Sequence, residues 1–315
     1  MREPATRDPR GARPAHGLMG GSGDPALTSR VMATESLQHV TELLDAGTVD
    51  NTEWFHKLWA MTAELRARVD AKFPDLVRDP SSIPHDTYAG EAGGPQGHMS
   101  TWVGEPIDWM VHSNLVNPTI GFCNMHLSMW LGPTVKVPHC AFAFGTFPDL
   151  FLLGDFPART DTIIDTEHLF TYYESVNTFW LKHRANENLR PFTSRALYVR
   201  DTLSETAFCF LADRTEENFA TYREIANGML DIWFAWLDAA VPTPLTEQAA
   251  LADRDLKVRR YAAELDPANA LAVRYFGEEK VAQLERQLWG GDRALPRIGG
   301  FSNECAPPAM RPSNY

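Results

Sequence analysis

The chain has 315 residues, a formal net charge of −12 and 44% hydrophobic residues, which is ordinary for a soluble globular protein long enough to bury a substantial core. The negative charge argues against nucleic acid as a partner, because phosphate binding needs a basic surface. No run approaches the ~20 consecutive apolar residues of a membrane helix, so we expect no membrane partner either.

The two ends of the chain are predicted to lie outside the folded region. Residues 1–31 are rich in Pro, Gly and Arg, and residues 290–315 are similarly unable to bury a face, so we predict disordered tails. The remaining residues, 32–289, are predicted to form a single domain without internal repeats.

The first predicted elements are two helices followed by a run of strands. One helix is predicted from Thr34 to Gly47 and another from Asn51 or Thr52 to about Phe73, because apolar residues recur at helical spacing. Strands are predicted at about 99–104, 107–113, 119–131, 136–146 and 149–157. The short turns between these strands predict antiparallel neighbours.

Helices dominate the second half of the predicted domain. A helix begins at Asp165 or Thr166, and two strands follow at 194–201 and 205–212. The pair Asp213-x-x-Glu216 resembles a capping box that opens a long helix. Further helical segments run through Arg260 and from Gly277 to Trp289. This order of elements predicts an α+β fold, with a central antiparallel sheet flanked by helices on both faces.

Two neighbouring strands suggest a pocket wall. In "TIGFCNMHLSMW", Asn124 and His126 share one face with aromatic residues, and the methionines share the other, which is most simply core. In "VPHCAFAFGT", His139 and Ala143 share a face that otherwise carries only small side chains. If the two strands pair, polar groups and vacant volume meet on one surface, which suits a large flat ligand. A solvated sheet face gives the same pattern.

Common cofactor and nucleophile signatures are absent from the sequence. No GxGxxG, GxxxxGK[ST], GxSxG or HExxH motif occurs, and the four cysteines have no metal-binding spacing. Three of these cysteines, Cys123, Cys140 and Cys209, lie in apolar strand-like runs. We therefore predict buried, reduced thiols, no bound metal and a cytoplasmic location.

From about Ile107 to Trp289 the chain resembles red chlorophyll catabolite reductases, distant relatives of the ferredoxin-dependent bilin reductases. The resemblance rests on six stretches in order: "IDWMVHSNL", "VPHCAFAFGTFPDLFLLGDFPARTD", "EHLFTYYE", "RALYVRDTLSETA", "DIWFAWLDA" and "RDLKVRRYAAELDPANALAVRYFGEEKVAQLERQLWG". It implies an α/β/α sandwich with a pocket for an open-chain tetrapyrrole between the sheet and the C-terminal helices. It also implies no bound cofactor, with reduced ferredoxin as the external electron donor and protons supplied by the protein.

The resemblance also implies roles for individual residues. Asp266 in "ELDPANA" matches an essential aspartate of the family and becomes a candidate proton donor; alternatively, it only caps the next turn. Asp155 in "LLGDFPARTD" matches another family aspartate, with a salt bridge to Arg159 as the alternative. Ala143 stands where the family has an essential glutamate, so one proton donor of the relatives is missing, and His139 on the same strand face is a candidate replacement.

Three further residues complete the predicted substrate site. Leu203 aligns with the family position that steers stereochemistry. Arg159 and Arg200 are candidates to bind carboxylate groups of a substrate through bidentate contacts, although pairing with neighbouring acids explains them equally well. Together with Asn124, His126 and Ala143 they form the predicted substrate-binding set.

The resemblance leaves three functional hypotheses open. The first is a ferredoxin-dependent reductase of a linear tetrapyrrole, with Asp266, Asp155 and His139 transferring protons. The second is a non-catalytic tetrapyrrole-binding protein, and the third is an enzyme that uses the pocket for another aromatic molecule. A homodimer is also among the expected assemblies. Docking of an acidic ferredoxin would need a local basic patch, and the candidate residues are Arg254, Lys257, Arg259 and Arg260, or Lys182, His183 and Arg184.

Overall fold

The computed structural model describes residues 35–36, 50–90, 94–117, 120–146, 148–266 and 268–293. The helices are α1 (Thr52–Lys72), α2 (Thr166–His168), α3 (Glu174–Arg184), α4 (Leu197–Thr202), α5 (Glu216–Asp238), α6 (Leu245–Glu264) and α7 (Ala268–Trp289). The strands are β1 (Glu35–Ser36), β2 (Val77–Arg78), β3 (Tyr88–Ala89), β4 (Gln96–Val103), β5 (Ile107–Asn117), β6 (Phe122–Leu131), β7 (Cys140–Thr146), β8 (Leu150–Asp155), β9 (Arg190–Thr193) and β10 (Phe208–Ala212). A π-helical turn, Leu169–Tyr173, joins α2 to α3.

Helix α1 forms where apolar residues recur every three or four positions, as predicted. Leu58, Leu65 and Val69 are fully buried on its inner face. The helix ends at Lys72 because the next residue, Phe73, precedes Pro74, and a residue before proline is sterically biased away from the helical conformation.

One sheet organises the domain. Its strand order is β1-β9-β10-β8-β7-β6-β5-β4-β2, and β3 pairs with β4 beside this path. The pairs from β2 to β10 are antiparallel, whereas β1 runs parallel to β9. The five long strands β4 to β8 are the predicted meander, so the expected link between short turns and antiparallel pairing is confirmed.

Helices cover both faces of this sheet. On one face, the methionines of β6 and the phenylalanines of β7 pack with α1 and α5 in the main core, as the alternation predicted. On the other face, Leu284 of α7 and Val258 of α6 pack with Trp109 and Trp130. Each fully buried large apolar side chain stabilises this arrangement by roughly 1.5–3 kcal/mol. The predicted α+β sandwich with a central antiparallel sheet is therefore confirmed.

Three local predictions differ from the structure. Most of the stretch predicted as a strand at 194–201 lies in helix α4, which begins at Leu197, and the strand precedes it at Arg190–Thr193. The long helix α5 begins at Glu216 and is capped by Thr215, whose hydroxyl accepts from the Asn218 N–H at 3.2 Å, whereas Asp213 pairs with Arg190. Glu35–Ser36 forms a strand where a helix was predicted.

Parts of the predicted ends lie outside the described residues. These parts are residues 37–49 of the first predicted helix, the predicted N-terminal tail, and residues 294–315 of the predicted C-terminal tail. The described residues 290–293 contact the domain, since Arg293 Nη1 donates to Asp108 Oδ1 at 3.1 Å. The division into one domain and two tails stays a prediction.

The described residues add two general facts. Within them, no helix combines the length and apolar character needed to cross a bilayer. Cys123, Cys140 and Cys209 are free thiols, and the described histidines, cysteines and acids form no group of three or more placed to hold a metal ion. Cys305 lies outside the described residues.

Candidate active site

A cavity of about 950 Å³ opens at the end of the sheet where β8 ends and β10 begins. Its walls come from the loop after β8, the π-helical turn, the segment after α4, and helix α6. The lining residues are Ala158, Thr160, Asp161, Thr162, Ile163, Leu169, Phe170, Tyr173, Glu174, Asn177, Asp201, Thr202, Leu203, Ser204, Glu205, Thr206, Arg254, Val258 and Tyr261. This volume is at the upper end of the range for small-molecule sites, and the mixture of apolar and polar walls is typical of them.

Asp155 lies directly behind the wall of this cavity. It is the last residue of β8 and its side chain is buried, with 1% of the residue exposed. Ser204, which lines the cavity, donates twice to its carboxyl group: Oγ to Oδ1 at 2.5 Å, and the backbone N–H to Oδ2 at 3.0 Å. The salt bridge with Arg159 that the sequence left open is not the contact observed.

Burial determines the protonation of Asp155. Removal from water penalises the carboxylate and raises the pKa of Asp155 to about 6, although the hydrogen bonds from Ser204 act in the opposite direction. Burial raises the pKa values of Cys140, Cys209 and Tyr173, and the charge of Asp155 raises them further. Asp155 is therefore a carboxyl group that can hold or release a proton near neutral pH.

Strands β6 and β7 pair as the sequence analysis assumed, although the residues of the predicted pocket wall do not line the cavity described above. Strands β6 and β7 pair so that His126 is opposite Ala143 and Asn124 is opposite Gly145. His126, Asn124 and Ala143 are only partly buried although they lie near the middle of the sheet, whereas their sequence neighbours on the core face are fully buried. The expected meeting of polar groups and small side chains is thus observed.

One polar atom on this face, Asn124 Oδ1, has no partner among the described residues. Burial lowers the pKa of His126 to about 4, so its imidazole is neutral at pH 7. The Oδ1 atom of Asn124 is buried, and within the described residues it has no hydrogen-bond donor. Because buried polar atoms are normally paired, an acceptor in this position is suited to a donor group of a bound molecule.

Two small residues of β7, Gly145 and Ala143, differ in their packing. A Cβ atom on Gly145 would lie 2.0 Å from the carbonyl oxygen of Cys123 and 2.4 Å from the ring of Phe151, so only glycine fits there. Ala143 is partly exposed, so no such packing clash requires its small size. Gly145 is therefore small because of packing, whereas Ala143 lies partly exposed beside the cluster of Phe151, Phe192 and Leu211.

His139 and Arg159 belong to a buried ion-pair network with Asp255. Arg159 donates to Asp255 Oδ2 through Nε at 2.9 Å and through Nη2 at 2.5 Å, and it also donates to the carbonyls of Val135 and Gly132. His139 Nδ1 accepts from the Leu131 N–H at 3.0 Å, and its Nε2 lies 3.3 Å from Asp255 Oδ1. These contacts join the loop and strand ends of the sheet to helix α6.

The charges of this network follow from its geometry. Burial lowers the pKa of His139 to about 4, so this ring is neutral at pH 7. Burial opposes ionisation of Asp255, but its contacts with His139 and Arg159 hold the pKa of Asp255 down at about 2. Arg159 thus pairs with Asp255 through a fully buried guanidinium. Arg254 is the arginine that lines the cavity, and its Nη1 also donates to Asp255, to Oδ1 at 3.3 Å.

Asp266 and Arg200 lie elsewhere. Asp266 follows α6, and its charge helps to raise the pKa of Tyr198 on α4, which burial raises most. The Asn269 N–H donates to the Asp266 carbonyl at 3.0 Å, as in a turn. Arg200 is exposed and donates to the carbonyls of Ser194 and Arg195. Leu203 is thus the one predicted site residue among the lining residues of this cavity, and Asp155 lies behind its wall, hydrogen-bonded to Ser204. The other predicted site residues are not among the lining residues: Asn124, His126, His139, Ala143, Arg159, Arg200 and Asp266.

The two predicted basic patches are partly buried and largely paired with acids. Arg259 is buried and pairs with Asp108 at 2.9 Å, and Arg260 is buried and pairs with Glu264 at 2.6 Å. Lys257 pairs with Asp253 at 2.9 Å, Lys182 pairs with Glu224 at 2.6 Å, and His183 is buried. Helical spacing placed these cations on one segment, but part of each set faces the protein interior.

The sequence did not identify Ser204, Arg254 or Asp255 as site residues. Ser204 lies 49 positions from Asp155 in the chain, and Asp255 lies 96 positions from Arg159. All three residues fall within stretches that carried the family resemblance. The resemblance could therefore have marked these stretches as candidates. The sequence did not indicate which distant residues pair with each other.

Comparison with known proteins gives consistent results. The model of the red chlorophyll catabolite reductase (RCC reductase) family matches residues 59–287. The chain is 28% identical over 224 residues to red chlorophyll catabolite reductase 1, chloroplastic, from Oryza sativa subsp. japonica, covering 64% of this chain and 67% of the relative. It is 28% identical over 200 residues to the red chlorophyll catabolite reductase of Hordeum vulgare, covering 58% of this chain and 96% of the relative.

A solved structure shares the fold. Phytochromobilin synthase from tomato, crystallised in complex with biliverdin, superposes with a TM-score of 0.65 at 12% identity, covering 78% of this chain and 85% of that one. At this low identity the similarity establishes the common fold alone.

The predicted cytoplasmic location is wrong, because the rice relative is described as chloroplastic. The inference rested on reduced cysteines. Cys123 and Cys140 are free thiols buried in the sheet. Their reduced state follows from burial and does not indicate in which cellular compartment the protein resides.

Proposed function

This chain belongs to the red chlorophyll catabolite reductase family, and on that premise we propose that it reduces an open-chain tetrapyrrole. Electrons come from an external one-electron donor, a reduced ferredoxin, with no metal, flavin or nicotinamide bound to the protein. The protein binds the pigment and supplies protons from its own side chains. Two observations support the proposal: a cavity of about 950 Å³ at the end of the sheet, and a buried carboxyl group behind its wall.

Asp155 is the observation that carries the proposal. Saturation of one double bond takes two electrons and two protons, and the electrons enter one at a time, so the pigment passes through a radical that must be protonated. A general acid works best when its pKa lies near the operating pH. With a pKa of about 6, Asp155 meets that requirement, whereas an ordinary aspartate is ionised at neutral pH.

The other site residues are assigned to binding. Leu203 lines the cavity and presses an apolar side chain on the pigment, and Arg254 is the cation on the α6 wall that pairs with a carboxylate of the substrate. His126 and Asn124 contact the pigment on the sheet face, where Ala143 leaves room. Asp266 remains a proposed second proton donor. For His139 and Arg159 we assign a supporting role, because their contacts with Asp255 hold α6 against the sheet.

The test is anaerobic absorbance spectroscopy of the full chain with red chlorophyll catabolite or biliverdin, a ferredoxin and its reducing system. Loss of the long-wavelength pigment band supports the proposal. A shifted band that persists would instead indicate a binding protein, and an unchanged spectrum would favour a different aromatic substrate. Asp155→Asn should slow reduction at least about a hundredfold, within the usual contribution of acid catalysis.

Asp149→Asn is the matched control for this variant. Asp149 precedes the same strand, pairs with Arg190 at 2.6 Å and is not among the lining residues of the cavity. Equal rates for Asp155→Asn and Asp149→Asn would show that Asp155 does not deliver a proton.

A further inference from the structure

We infer that Ser204 is a catalytic proton relay, which passes a proton from Asp155 to a ligand in the cavity. The inference rests on the proposed function and adds a residue and a route to it. Nothing in the family resemblance assigned a role to Ser204.

The relay is needed because Asp155 is behind the cavity wall. Asp155 is 1% exposed and is not one of the lining residues, whereas Ser204 and Thr206 both line the cavity. The Ser204 Oγ atom lies 2.5 Å from Asp155 Oδ1 and 3.2 Å from Thr206 Oγ1. A proton that leaves Asp155 for the cavity therefore meets the Ser204 hydroxyl first.

The hydroxyl group can reverse its hydrogen bond when Asp155 changes its protonation. An ionised carboxylate only accepts, so Ser204 then donates its single hydroxyl hydrogen to Oδ1. A protonated carboxyl donates to Ser204 Oγ, which frees the hydroxyl hydrogen to point to the ligand or to Thr206. The backbone N–H of Ser204 donates to Oδ2 at 3.0 Å in either state and keeps the two groups aligned.

The transfer is balanced in protons and electrons. The O–H bond of the Asp155 carboxyl breaks as its proton bonds to Ser204 Oγ, and the original Ser204 O–H bond breaks as that proton bonds to the reduced pigment. Asp155 is left as a carboxylate, and Ser204 is unchanged. The electron that makes the pigment basic comes from the one-electron donor of the proposed function, and water returns the proton to Asp155 after the product leaves.

The surroundings of Asp155 suit this role. The titratable groups that its charge affects are Cys140 on β7, Cys209 on β10 and Tyr173 on the π-helical turn. Burial raises the pKa values of all three, so they remain neutral near pH 7. The causes that set the protonation of Asp155 itself are burial and the hydrogen bonds from Ser204 and Phe156, with no cation among them.

The first experiment compares Ser204→Ala with Ser204→Thr by anaerobic single-turnover reduction of a linear tetrapyrrole. We expect Ser204→Ala to bind the pigment within about threefold of the wild-type affinity but to reduce it at least about a hundredfold more slowly. Ser204→Thr keeps the hydroxyl group and should recover most of the rate. A Ser204→Ala rate equal to wild type, or a Ser204→Thr rate as low as that of Ser204→Ala, would overturn the relay.

The second experiment needs neither turnover nor ligand. Infrared difference spectra between pH 5 and pH 7 should show a protonated-carboxyl C=O band that Asp155→Asn removes. Loss of the hydroxyl donor in Ser204→Ala should move its titration midpoint to higher pH. Absence of that band, or the same midpoint in Ser204→Ala, would overturn the coupling of the two groups even in an active enzyme. The wild type could show the band, and Ser204→Ala the shifted midpoint, while the wild type reduces no tetrapyrrole. In that case the coupling of the two groups stands and the proposed function fails.

Discussion

The Asp155 carboxyl group receives two hydrogen bonds from one residue, Ser204, whose hydroxyl and backbone N–H lie 2.5 and 3.0 Å from the two carboxyl oxygens. This contact joins the end of strand β8 to the wall of the cavity. It also links a fully buried, titratable carboxyl group to the cavity through one residue of the cavity lining.

Asp155 should make the free energy of unfolding depend on pH. Its pKa is about 6 in the folded protein against an ordinary value of 3.8, so between these pH values the folded state binds more protons than the unfolded state. Stability therefore falls as pH rises from about 4 to about 6, by roughly 1.4 kcal/mol per unit and about 2–3 kcal/mol in total. Urea unfolding of wild type and Asp155→Asn over this range measures the difference.

Asp155→Asn lacks the titrating carboxyl group. Its free energy of unfolding should therefore increase relative to that of wild type as pH rises through this window. Asp255 has a pKa of about 2, so its titration affects stability below this pH window. It is also present in both proteins and does not contribute to their difference. Parallel stability curves for the two proteins between pH 4 and pH 6 would contradict the raised pKa of Asp155.

Asp255→Asn should destabilise the fold strongly. The substitution leaves the fully buried guanidinium of Arg159 without its counter-charge, and removal of one partner of a buried ion pair costs about 3–5 kcal/mol. Asp253→Asn on the same helix is the matched control, since its half-exposed pair with Lys257 contributes at most about 1 kcal/mol. Chemical denaturation of both variants checks the prediction, and equal losses would refute the importance of the network.

Ala143→Glu should raise the pKa of His126. The two positions are directly opposite in β6 and β7, where Cβ atoms are about 5 Å apart, so the introduced carboxylate reaches the imidazole. An adjacent opposite charge raises a histidine pKa by about one unit or more from its present value of about 4. Titration of the His126 ring by NMR measures the shift.

Ala143→Gln is the control for size without charge. A His126 pKa that is the same in the two variants would show that the side chains at these positions do not meet. Because the resemblance places an acid of the relatives at this position, we also expect Ala143→Glu to reduce the pigment faster than Ala143→Gln.

Gly145→Ala should destabilise the sheet. An added methyl group would lie 2.0 Å from the backbone oxygen of Cys123, which cannot move without disturbing the pairing of β6 with β7. Overpacking of this kind costs about 1–3 kcal/mol. Gly132→Ala is the control, because its nearest neighbour is the Pro106 oxygen at 3.6 Å, an ordinary contact. Thermal unfolding of both proteins checks the difference, and equal melting temperatures would refute it.

The sequence by itself determined the family, the α+β class and the meander of long strands. Period-two alternation in β6 and β7 placed Met125 in the core and His126 on the opposite face, because successive side chains of a strand must alternate. Pro74 likewise set the end of α1 through a purely local clash. These features depend on neighbouring residues, which a single sequence displays directly.

Only the tertiary structure decided which charged and polar groups meet. Residues 194–201 contain only a short apolar run, 196–199, which is too short for periodicity to distinguish strand from helix, and residues Leu197–Thr202 form α4. Arg159 pairs with Asp255 and not with Asp155, and Ser204 reaches Asp155, because helix α6 and the segment after α4 pack against the end of the sheet. Ion pairs and hydrogen bonds act over a few ångströms, so their partners are set by how distant segments pack and not by their positions along the chain.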